Sequence, residues 1–327
     1  MERRKVQLAG GSTYTISLPK PWADTHDIVA GTHLNLHPKA DGSLLVRTNA
    51  GEGAGRSVER SVDRYEPGTL TRLVRAHYTV GVDELTLTTA EPTPAAKRRA
   101  VTDATAELVG FEVVRESDRE VVVRSLLNAD EVSVRQTVVQ LQSTVLSMQR
   151  GAVEAVARSD ASLAERTAGR DHETDRLLAT IARQYHRAVD DPSEAATLGV
   201  DRHELRSYYE TAKRLVQVGD CAASMATVVG REGETTLPAT LLDAARRARS
   251  VVADATDVVV NGGDTEQAHA ALSARDDVLA ELDRGDRDGD PAAAYAAGRF
   301  CESVRQTVEC GAAIAEWAVA DDLRAER

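Results

Sequence analysis

The stretch Val134–Ala155, VRQTVVQLQSTVLSMQRGAVEA, decides how most of this chain folds. Its apolar positions Val134, Val138, Leu141, Val145, Met148, Ala152 and Ala155 recur in alternating steps of four and three. That spacing keeps one stripe of a helix apolar over several turns, the seam of a bundle rather than an isolated surface helix. The same reading predicts helices over about 168–189, 201–229, 238–261, 265–284 and 291–325. Breaks at Asp191-Pro192, Thr236-Leu237-Pro238 and Gly289-Asp290-Pro291 separate them. Six helices of this kind suggest two three-helix units. Internal repetition supports the division. Gly219–Ala226 (GDCAASMA) resembles Val308–Ala315 (VECGAAIA), and Asp160 and Asp264 each open a short turn with an alanine four residues on. Residues 128–327 therefore read as a duplicated helical bundle, divided into 128–235 and 236–327.

Working back toward the N-terminus, residues 66–127 read as a small α+β connector. Leu70, Leu73, Val74 and His77 share a helical face, and Leu85 and Leu87 alternate in a strand. Val101, Ala104 and Leu108 mark a second helix closed by Gly110, and Phe111–Val114 with Val121–Val123 form a hairpin. Residues 51–65 are polar and Gly-rich at their start, which reads as a linker. Residues 1–50 form a small all-β head. A strand over Arg4–Leu8 ends at Gly10-Gly11, and Tyr14, Ile16 and Leu18 alternate with polar residues in a second. Pro19 and Pro21 stop that strand, and Pro21 suits the first turn of a short helix through Asp27. Asp41-Gly42 is a hairpin turn between Leu34–Leu36 and Leu44–Arg47. Fifty residues of short strands cannot complete a core alone, so the head is expected to pair with a second copy.

Composition narrows the function. The 327 residues hold 52 acidic and 40 basic side chains, a net charge of -12, and only five of the basic ones are lysine. Such an acidic surface suits a salt-rich cytosol and does not argue against DNA binding. The head departs from it, with six basic against four acidic side chains. Arg3, Arg4, Lys5 and Lys20 are its candidate phosphate contacts, with Ser12 and Thr13 as neutral hydrogen-bond donors. Aromatic residues make up 3%, which excludes an aromatic-rich carbohydrate binder. The apolar runs are too short for a transmembrane helix, so a cytoplasmic chain without membrane insertion is expected. Three cysteines form no CxxC pair and read as reduced, buried thiols. No phosphate-binding glycine loop, GxGxxG or HExxH motif is present, so no enzyme is expected.

In the bundle, Asp171 and Asp175 stand four apart on one helical face. An inward-facing carboxylate pair wants a cation, and its hard oxygens suit Mg, Ca, Mn or Fe; facing outward, it is part of a solvated acidic surface.

Two family resemblances follow from these residues. Gly11–Trp22 (GSTYTISLPKPW), Gly31 and Asp41-Gly42 resemble the AbrB/MazE/SpoVT swapped-hairpin domain, over residues 3–48. That resemblance implies an intertwined homodimer that binds DNA. The duplicated bundle, Asp171 with Asp175, and Gly219–Ala222 resemble the PhoU family of phosphate-uptake regulators, over residues 130–325. The order of head, connector and bundle recurs in archaeal regulators. The second resemblance implies an acid-x-x-x-Asp motif on two helices of each half that holds metal. Asp171 and Asp175 match it fully. Asp220 matches with Val216 in its partner position, and Glu309 with Arg305. The implied ligands are thus Asp171, Asp175, Asp220 and Glu309. They allow a divalent or ferric ion in the first half, or a metal-free bundle in which Arg305 pairs with Glu309. The combined expectation is a DNA-binding regulator of phosphate uptake, with a phosphate-transporter ATPase or a sensor protein as partner. The competing expectation is an adaptor whose head only dimerises.

Overall fold

A computed structural model describes residues 3–38, 42, 44–48, 55–127, 132–228, 237–284 and 291–325. The chain divides into two compact units, Met1–Gly55 and Arg56–Arg327. Lys39, Asp41, residues 51–54 of the expected linker and the breaks at Thr236 and Gly289-Asp290 lie outside the described residues.

Among its described residues the first unit holds two hairpins and one short helix. β1 (Gln7–Ala9) pairs antiparallel with β2 (Thr13–Thr15), and β3 (Leu34–Pro38) with β4 (Leu44–Thr48). Gly10 and Gly11 turn the first hairpin at φ 65° and 84°, values that glycine adopts without a Cβ clash. The strand expected over Arg4–Leu8 starts later, because pairing with β2 begins at Gln7; Arg4 and Lys5 precede it. α1 (Lys20–Thr25) carries Pro21 in its first turn, as expected. No described side chain of this unit is buried. Val6, Leu8, Tyr14, Ile16, Val29, Leu36 and Leu44 are all exposed, Tyr14 to 76%. This apolar surface without a core is what the length of the head predicts.

The second unit holds two cores. The smaller belongs to a four-stranded sheet with strand order β5-β6-β8-β7, carrying α2 (Pro67–Thr79) and α3 (Ala95–Ala106). β6 (Glu84–Thr88), β7 (Phe111–Glu116) and β8 (Glu120–Ser125) are antiparallel neighbours, while β5 (Ser57–Ser61) runs parallel to β6. β5 corrects the expected linker, since residues 57–61 are an edge strand of the connector sheet. Val58 is the only apolar residue of β5, so the strand shows no alternation of its own. Leu70, Val74, Tyr78, Leu85, Val101, Phe111 and Val123 fill this core.

The larger core belongs to the bundle. α4 (Val134–Arg158), α8 (Arg202–Ala226), α9 (Ala239–Asn261) and α11 (Pro291–Ala325) pack at its centre. α6 (Asp171–Asp190) and α10 (Thr265–Arg284) pack on them. All seven seam residues of α4 are buried. Two short helices, α5 (Ala161–Ala168) and α7 (Pro192–Leu198), join the long ones. The starts and stops are chemical. Asp160 and Asp264 each accept the backbone N–H three residues on, both at 2.9 Å, as helix N-caps do. Asp201 caps α8 through His203 and Glu204, and Gly262 closes α9 at φ 66°. The halves meet reciprocally: Cys221 Sγ donates to Gln306 Oε1 and Cys310 Sγ to Gln217 Oε1, each at 3.6 Å. The sequence offset is 89 positions for both pairs, so the repeat seen in the sequence is also a repeat in space.

Candidate functional site

α6 positions the acidic motif. Its first turn carries Asp171, whose Oδ1 accepts the His172 backbone N–H at 2.8 Å, and Asp175 lies one turn on. Thr174 between them is fully buried and bonds back to the Asp171 carbonyl at 2.7 Å. Across from it stands Gly219 of α8, where a Cβ would sit 3.4 Å from Thr174 Cγ2. This close approach of α6 to α8 brings Asp171 and Asp175 near Asp220. Partial burial, then the Asp175 and Asp171 charges, push the Asp220 carboxyl above the usual range. Three of the four candidate ligands therefore share one locality.

The fourth does not join them. Glu309 accepts from Arg275 on α10, Nη2 lying 2.8 Å from Oε1 and 2.9 Å from Oε2. Arg275 also bonds Asp276 at 2.7 Å. Arg305, expected to pair with Glu309, instead reaches Asp283 at 2.6 Å. The guanidinium against Glu309 thus comes from a neighbouring helix, which can offer both its edge nitrogens at once.

Asp175 is paired as well. Arg75 of α2 lies 3.9 Å from it and also bonds Glu107. Among the described residues no three His, Cys, Asp or Glu side chains are placed to hold one metal ion. The donor oxygens are hard enough for a divalent cation, but the charges facing Asp175 and Glu309 are arginines. The geometry therefore does not fit a metal shared by the four acids.

A second constellation lies further along α6 and has no local sequence signal. Arg183, nearly buried, donates from Nη1 to the carbonyls of Tyr78 at 3.0 Å and Val82 at 2.8 Å, and from Nη2 to Asp83 at 2.9 Å. Its guanidinium lies 5.0 Å from the Tyr78 ring centre. Burial, then the neighbouring Arg187, lowers its pKa, while Asp83 acts in the opposite sense. Arg187 pairs with both Asp83 and Glu194. Gly81, at φ 88°, leaves the space Arg187 needs: a Cβ there would lie 2.5 Å from Arg187 Cγ. The connector and bundle are joined through this cluster.

Cys221 and Cys310 are buried, whereas Cys301, expected to be buried too, is half-buried. Burial, then proximity to Cys310, pushes the Cys221 thiol up to about 12, and Cys310 is raised by burial too. In the head, Arg3, Arg4 and Lys5 lead into β1, Ser12 and Thr13 stand where the turn enters β2, and Lys20 begins α1; all six are exposed. Among the described residues no helix is long and apolar enough to cross a membrane.

Comparison with known proteins bears on the helices that carry these residues. Residues 138–229 match the family model of the PhoU domain. The match runs from α4 through α8, so Asp171, Asp175 and Asp220 all lie in the PhoU-domain region. The fold is similar to the crystal structure of PhoU from Pseudomonas aeruginosa, with 19% identity over 59% of this chain and 96% of that one and a TM-score of 0.52. The phosphate transport system regulatory protein PhoU from Streptococcus pneumoniae matches at 18% identity over 57% of this chain and 91% of that one, TM-score 0.48. No curated protein matches.

Proposed function

We propose that the chain is a non-catalytic regulator of phosphate uptake. Its PhoU-like bundle acts by contact with a phosphate-transporter ATPase or a sensor protein, and its head joins two copies. The observation that carries this reading is the PhoU-domain match over 138–229, supported by the likeness of fold to the Pseudomonas aeruginosa protein. The sequence motifs give no support to catalysis. Phosphate uptake by cells lacking the gene, at high and low external phosphate, tests it. The reading expects uptake that no longer falls when phosphate is plentiful, restored by the full chain; unchanged regulation refutes it.

A DNA-binding head is the second reading, favoured by the exposure of Arg3, Arg4, Lys5 and Lys20 on a unit with a basic surplus. Two such heads joined through their apolar surfaces would present paired cationic segments to phosphates. Any ligand or partner that binds two bundle arrangements unequally would then shift head spacing and DNA affinity. Gel-shift of the full chain on its own promoter and on phosphate-transport promoters tests this reading. Sequence-selective binding lost in Arg3→Ala/Lys5→Ala/Lys20→Ala supports it, and absence of any sequence preference removes it, leaving the adaptor.

A further inference from the structure

The joint between connector and bundle has two ends of unequal strength, and both lie on α6. At one end Asp83 and Arg183 meet with side chains 25% and 6% exposed, backed by two carbonyl acceptors and the Tyr78 ring. Tyr78 Oη adds a contact to Thr180 Oγ1 at 3.4 Å, and Ala179 of α6 packs into the connector's own core. At the other end, two turns toward the start of α6, the link is Arg75 between Glu107 and Asp175, side chains 38%, 43% and 51% exposed. Here the surfaces diverge into a cleft of about 250 Å³ lined by Arg75, Thr79, Glu107, Asp175, Arg176 and Tyr209 among others.

Breaking a buried pair leaves a desolvated charge behind, whereas water and salt replace an exposed one at little cost. The exposed end therefore yields at lower cost than the buried one. We propose that the connector is hinged on the bundle, with the Asp83–Arg183 cluster as pivot and the Arg75 bridge as a releasable latch. Arg75 acts as a tethered cation on the acidic motif, taking the place on Asp175 that the family resemblance gives to a metal. Release frees Asp175 beside Asp171 and Asp220 and opens the cleft. Arg56, where the chain enters this unit, sits at the pivot, its backbone N–H bonded to Asp83 at 3.0 Å and its Nη2 to the Arg187 carbonyl of α6 at 3.4 Å. The latch lies within residues 56–327, so it does not depend on what the head binds.

Hydrogen exchange of the full chain, read by mass spectrometry, tests the hinge through the variants Arg75→Glu, Asp175→Arg and the two combined. Each single variant is expected to speed exchange roughly two- to fivefold in 72–79 and 174–182, the size of one exposed ion pair. α9 and α11 should be unaffected. The double variant rebuilds the pair to α6 with reversed sign, while the new carboxylate at position 75 still faces Glu107, so it should return 174–182 toward the parent rates and 72–79 only in part. Arg183→Met should instead loosen the whole of 56–127. Singles without effect, a double variant worse than either single, or acceleration that extends to α9 and α11 would each overturn the latch. Arg183→Met milder than Arg75→Glu would overturn the pivot.

Discussion

Asp220 illustrates how one carboxylate reports its neighbours. Its pKa is raised, so the folded state holds a proton more tightly than the unfolded chain does. Stability is then lost as pH rises from the ordinary aspartate range through the raised value. Asp220→Asn removes that penalty. Thermal melts should show it more stable than the parent at pH 7 by about 0.2–1 kcal/mol, the scale of interactions between exposed charges. The difference should vanish below about pH 3.9, where aspartate is protonated in both states. Arg183 is the opposite case, a charge tolerated in the interior because Asp83 and two carbonyls receive it. Denaturant titration of Arg183→Met should show a loss of about 3 kcal/mol, as when a buried pair is broken. Asp171 and Asp175 were legible in the sequence because their relation is local, one turn of one helix. Arg75, Asp83 and Arg183 were not, because their pairing joins positions about a hundred residues apart and leaves no periodic trace.

Among the elements, the long helices were readable for the same local reason. The four-three spacing of α4 declares itself within a few residues, as do the repeated turns opened by Asp160 and Asp264, whose capping role only the structure adds. β5 did not, because a parallel edge strand takes its register from β6 and only Val58 marks its inner face. Close packing of helices also escapes a reading by pattern alone. A Cβ at Gly311 of α11 would lie 3.0 Å from Val251 Cγ1 and 3.1 Å from the Val252 backbone nitrogen, whereas at Gly298 of the same helix it meets nothing within 4 Å. Gly311→Ala should therefore destabilise the bundle by about 1–3 kcal/mol, as overpacking does. Gly298→Ala should stabilise it by up to about 1 kcal/mol through helix propensity. Chemical denaturation of the two variants compares a strained site with an open one in the same helix. Equal effects would mean that α9 and α11 do not approach closely at Gly311.

The whole molecule sets a unit that completes its own cores beside one that does not. Residues 56–327 bury the sheet core and the bundle core, and the head leaves Leu8, Tyr14, Ile16 and Leu36 in solvent. Burying apolar surface of this kind between two copies supplies a driving force that the isolated hairpins lack. The regulator reading needs that assembly, since it lets two bundles act on one object, a transporter or an operator. The most direct measurement is sedimentation equilibrium on the full chain and on residues 56–327 across a wide concentration range. The account predicts a dimer for the full chain and a folded monomer once the head is removed. A full chain that sediments as a monomer throughout would contradict it.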